Sequence, residues 1–86
     1  MLQLNVKRLS IAKPSSLLDL GQGEQGILDR LDLPAAVSRR LMELGFLPGS
    51  PVVAARSAPG GDPRVFRVDG AEIALRGETA ARLMLR

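Results

Sequence analysis

Leu33-Pro34-Ala35-Ala36-Val37-Ser38-Arg39-Arg40-Leu41-Met42-Glu43-Leu44-Gly45-Phe46-Leu47-Pro48-Gly49 spells a short helix with its own start, stop and exit turn. Pro34 suits the first helical position, where its missing N–H costs nothing. Val37, Leu41 and Leu44 fall at i, i+4 and i+7, which predicts one apolar face turned to the core. Gly45 follows the last of them, at the place where a left-handed residue closes a helix. Phe46 is placed to fold back on the final turn. Pro48-Gly49 then forbids continuation and turns the chain into Val52-Val53. A helix clipped this tightly and fed straight into a strand predicts a small barrel with one helix packed on it.

Outward from that stretch the pattern is mostly strand. Gln25 to Leu31 alternates after a run of glycines, and Pro51 to Arg56 follows the helix, with Pro51 at a first strand position that tolerates it. Arg64 to Val68 and Ala71 to Arg76 flank Asp69-Gly70, a dipeptide that favours a type I′ hairpin turn. Gly70 supplies one of the two positive φ angles that such a turn requires. Phe66 and Val68 share one face of the hairpin, as do Ile73 and Leu75. Gly77 to Ala81 suits a single helical turn, and Leu83 to Leu85 a last short strand. Ala58-Pro59-Gly60-Gly61-Asp62-Pro63 is the strongest loop signal. About five short strands with one helix predict an all-β fold closed on itself, an SH3-like barrel.

The chain has 86 residues, enough for one domain with a small core. Residues 14–86 carry the barrel pattern. Residues 1–13 form an extension, in which Leu2, Leu4 and Val6 alternate with polar neighbours like an edge strand. That strand could add to a neighbour's sheet and make a homo-oligomer.

Composition removes whole classes of chemistry. The sequence holds neither Cys nor His. Disulfides, thiolate metal sites, histidine catalysis and a conventional zinc site are therefore excluded. No acid/base pair of recognisable spacing replaces them. The chain is expected to be non-enzymatic, with no catalytic residue, no metal and no cofactor. A formal net charge of +3, mostly from arginine, permits acidic partners without implying them. Apolar runs are broken far short of the roughly 18 residues that span a bilayer. Leu2 to Ala12 also makes a poor signal peptide, so a cytoplasmic location is expected.

Two motifs lose their functional meaning in context. Gly21-x-Gly23-x-x-Gly26 has dinucleotide spacing, but these glycines lead into a strand and open no helix. Arg56, Arg64, Arg67 and Arg76 could line a nucleic-acid surface. With Phe46 and Phe66 as the only aromatics and both assigned to the core, base stacking has no platform, so no nucleic acid is expected.

The segments Leu17-Leu18-Asp19-Leu20 with Gly23, Gly26 and Ile27; Arg40 through Gly49; Ala58-Pro59-Gly60-Gly61-Asp62-Pro63; and Gly70 through Arg76 together resemble the ferrous iron transport protein A family (FeoA-like). The resemblance runs from Leu17 to Leu85. It implies a small cytoplasmic SH3-like protein that assists bacterial ferrous iron uptake. The implied partner is the cytoplasmic GTP-binding domain of the ferrous iron permease, so that contact with the membrane comes only through that partner. The same domain type resembles the C-terminal module of metal-dependent repressors. A peptide-binding role in metal-dependent transcription is therefore the alternative, with a weak nucleic-acid-binding barrel behind it. No winged helix precedes the barrel here, which favours the transport accessory.

Candidate contact residues follow from position. If Val37, Leu41 and Leu44 face the barrel, Arg39 and Met42 turn outward, on a ridge suited to a protein partner. Met42 could equally cover a flank of the barrel. Arg39 and Glu43 form an i, i+4 pair worth ~0.3 kcal/mol, a solvated face. Pro59 and Asp62 belong to the loop, a second candidate surface. Asp62 alone is no cation site, because calcium or magnesium needs several converging oxygens. Turn chemistry is its simpler role. Pro34, Val37, Leu41, Leu44, Gly45, Phe46, Pro48, Gly49 and Gly70 are assigned to structure.

Overall fold

The computed structural model describes residues 14–86. The alternating segment Leu2–Val6 and the rest of the 1–13 extension lie outside the described residues. Five strands follow in order: β1 (Gln25–Leu31), β2 (Pro51–Ser57), β3 (Arg64–Val68), β4 (Ala71–Leu75) and β5 (Leu83–Leu85). Helix α1 (Ala35–Glu43) sits between β1 and β2, and the single turn α2 (Gly77–Ala80) between β4 and β5. Short 3₁₀ turns occupy Leu17–Asp19 and Pro59–Gly61.

The strands form one antiparallel sheet in the order β4-β3-β2-β1-β5. Register breaks between Leu28 and Arg30 on β1 and between Ala54 and Arg56 on β2 let it curl. The residues before β1 draw the curl shut. The Leu85 amide donates to the Ser15 carbonyl at 2.9 Å, and Ser16 bridges Met84 on β5. A few residues on, the Arg64 guanidinium at the start of β3 donates to the Leu18 carbonyl at 2.6 Å and to that of Leu20. One short segment thus ties β5 to β3. It also sends Leu17 and Leu20 into the core beside Leu28, Val52, Phe66, Val68 and Leu83, all nearly or wholly buried.

The hairpin matches its sequence. Asp69 (φ 51°) and Gly70 (φ 79°) both take the positive angles of a type I′ turn. Phe66 lies opposite Ile73, so the two share the inner face. β2 extends one residue beyond the expected end, to Ser57, and β4 stops at Leu75 because Arg76 caps α2.

Helix α1 departs from expectation at both ends of its apolar pattern. Pro34 is the N-cap, with extended ψ of 149°, and Ala35 is the first helical residue. The Pro34 carbonyl accepts from the Ser38 amide at 2.9 Å, the first bond of the helix, and its lack of an N–H remains harmless. At the other end the stop has the predicted form. Leu44 caps the helix, Gly45 takes φ 113°, and the amides of Gly45 and Phe46 donate to the carbonyls of Met42 (3.0 Å) and Leu41 (3.1 Å). That is a Schellman motif, and it delivers Phe46 fully into the core.

Val37 and Leu44, however, do not face the core. They are 43% and 46% exposed. The buried seam runs through Ser38, Leu41 and Gly45, with Met42 half-buried beside it. The cause is local. Seating Phe46 and Leu41 together aims the helix through Leu41 and Gly45, and the residue one turn earlier on that line is Ser38. Its hydroxyl is satisfied in place, donating to the Leu33 carbonyl at 3.2 Å.

Candidate docking surface

The rolled helix leaves an apolar row in solvent. Val37 and Leu44, seven residues apart, project within about 20° of each other. Arg40 lies between them at i+3 from one and i−4 from the other, also exposed. Leu47, just past the cap, is 46% exposed. These three, with Leu18 on the 3₁₀ turn, are the large apolar side chains that the described residues leave open. A cation flanked by aliphatic side chains suits a partner surface that is apolar with an acidic edge. The helix that carries the row is closed by the Schellman stop and tied to the preceding chain by the Ser38 hydroxyl bond to Leu33.

The residues singled out from sequence are distributed differently. Arg39 and Glu43 are exposed, and no ion pair joins them among the described residues. Met42 does not crown an outward ridge; half of it is taken up against the barrel flank. Pro59 is exposed on its 3₁₀ turn. Asp62 is spent on backbone, its Oδ1 accepting from the Gly77 amide at 2.6 Å. Gly45 closely approaches Asp69, just past the end of β3, whereas Asp62 precedes the start of that strand. The C-terminal turn of α1 and the loop are therefore separated by the length of β3, and do not form one patch. The signal that would have found Val37 and Leu44 is the Schellman stop. A fold-back by Phe46 fixes which helical residues face inward.

Elsewhere several charges are paired within the molecule. Arg67 and Arg56 both reach Glu72, at 3.0 and 2.8 Å, across the outer face of the sheet. Hydrogen bonds from Arg67 and then Arg56 hold the Glu72 carboxyl below the usual carboxylate range. Arg64 stacks over the Phe66 ring at 5.5 Å while binding the Leu18 and Leu20 carbonyls. Three of the four arginines considered for nucleic acid are thus engaged within the molecule. An open groove of about 400 Å³ runs between the helix entry and α2, lined by Leu33, Pro34, Glu78, Thr79 and Arg82. Among the described residues no group of three or more acidic side chains is placed to hold a metal. No helix among them is long and apolar enough to cross a membrane.

A curled five-stranded antiparallel sheet with one short helix on it is a small SH3-like barrel. Comparison with known proteins gives the family: residues 15–86 match the FeoA domain, and the chain belongs to that family. Among solved structures, FeoA from Chlorobium tepidum is 30% identical with a TM-score of 0.78, over 83% of this chain and 68% of that one. FeoA from Stenotrophomonas maltophilia, solved with zinc and described as a prokaryotic SH3 domain protein, is 32% identical with a TM-score of 0.73, over 85% and 91%. The Fe(2+) transport protein A/Fe(2+) transporter FeoB fusion protein of Porphyromonas gingivalis is 30% identical over 67 residues, 78% of this chain. This chain spans 8% of the length of that fusion protein.

Proposed function

We propose that this chain is a cytoplasmic, non-enzymatic accessory of bacterial ferrous iron uptake. It docks on the GTP-binding domain of the ferrous iron permease through the outer row of α1 and biases that domain between its conformations. The observation that carries the reading is the exposed Val37–Arg40–Leu44 row on a helix closed by a Schellman stop. It offers apolar area already ordered, so little entropy is lost on binding. The P. gingivalis relative supports the choice of partner, because there the matching region and the transporter share one polypeptide. Joining two modules in this way is an efficient means of keeping a weak contact occupied. To modulate transport, the barrel must prefer one state of the permease domain; equal affinity for both would shift nothing.

The test is titration of the purified chain against the isolated GTP-binding domain of a permease from the same genome, with Leu44→Asp and Arg39→Ala compared. Leu44→Asp should weaken binding at least tenfold, because it places a carboxylate in the apolar row. Arg39→Ala, on the far side of the helix, should bind nearly as the parent does. The opposite ranking would return the contact to the Arg39 side.

A further inference from the structure

Among the described residues strand β4 is an edge of the sheet. In a two-residue hairpin the pair flanking the turn is hydrogen-bonded, so Val68–Ala71, Phe66–Ile73 and Arg64–Leu75 exchange bonds between β3 and β4. By alternation the backbone groups of Glu72 and Ala74 point away from β3. No further backbone bond engages them among the described residues. The edge also lacks the usual protections. β4 contains no proline and no lysine, its register against β3 is unbroken, and its one charge, Glu72, is balanced by Arg56 and Arg67.

We propose that β4 pairs antiparallel with β4 of a second copy of this chain, around a two-fold axis at Ile73. This register sets Glu72 against Ala74 of the second copy and Ala74 against its Glu72. The four free N–H and four free C=O groups on the two edges are then available to each other, in two fully exchanged pairs. It is also the register that chemistry allows. Each Glu72 meets a small neutral residue and not its own copy, so no like charges oppose. Ile73, only partly buried against the core, meets Ile73 of the second copy on the inner face. Beyond the pairs, Gly70 comes opposite Arg76 of the second copy, which brings that guanidinium beside Asp69. Neither Asp69 nor Arg76 has an ion-pair partner among the described residues. The contact is isologous and closed.

Sedimentation equilibrium of the full chain over a concentration series tests this. The parent should pass from 9.2 kDa toward twice that mass as concentration rises. Amide exchange at Glu72 and Ala74 should slow in step. Ala74→Pro removes a donor that points away from β3, so the hairpin keeps its own bonds while the doubled mass is lost. Ala74→Glu sets a second carboxylate against Glu72 and should give the same loss without any proline in the strand. A parent that stays monomeric to its solubility limit overturns the proposal, as does a dimer that persists in both variants. A dimer insensitive to Ala74→Pro but lost in Leu4→Asp would also overturn it, assigning the contact to the N-terminal segment.

Discussion

At Gly45 a single missing side chain decides where α1 ends. The backbone there takes φ 113°, and a Cβ would sit 3.1 Å from that of Asp69. Strain and crowding thus act at one position. Gly45→Ala is expected to cost about 2 kcal/mol, seen as a melting temperature lower by roughly 10 °C. Glu72 makes a different residue-scale prediction. Its folded pKa lies below its unfolded one because Arg67 and Arg56 bond its carboxylate. The stability it contributes is complete above the unfolded pKa and is lost as pH falls through the folded one. Denaturant unfolding across that acidic window should show the parent losing stability with falling pH, and Glu72→Gln losing less.

At the scale of the element, α1 shows what a sequence discloses and what it leaves open. Its limits were legible because Pro34, Gly45 and Pro48 act through local sterics, which no tertiary contact overrides. The strands and the Asp69-Gly70 turn were legible for the same reason. Which face of the helix turns inward was not, because Val37, Leu41 and Leu44 suit either a core face or an outward row. The choice was made by Phe46 and by a serine whose hydroxyl finds the Leu33 carbonyl, and a hydropathy pattern scores serine as surface. The outward positions of Arg39 and Glu43 agree with the sequence reading, whereas Met42 is half-buried and Val37 and Leu44 lie outside the core. The observed face makes a measurable distinction. Leu41→Ala should cost about 3 kcal/mol in chemical denaturation. Leu44→Asp, at a position 46% exposed but at the C-terminal end of the helix, should cost about 1 kcal/mol, well below the core change.

At the scale of the molecule, barrel closure rests on side chain meeting backbone, and no pattern of strands foretells it. Arg64 looked like a surface cation in the sequence. In the fold it binds the Leu18 and Leu20 carbonyls and stacks on Phe66. Arg64→Met keeps the apolar stem and removes the donors. It should cost about 2 kcal/mol and speed amide exchange at Leu85, whose N–H is held by the segment so clasped. In a domain this small that is a large share of total stability. For the molecule as a whole, the proposed docking requires that the outward row of α1 carry affinity for the permease domain. Calorimetric titration of the parent and of Leu44→Asp against the permease's GTP-binding domain is the measurement. Docking through the row predicts saturable binding by the parent and at least a tenfold loss in the folded variant; equal affinity for both, or no binding by the parent, would contradict it.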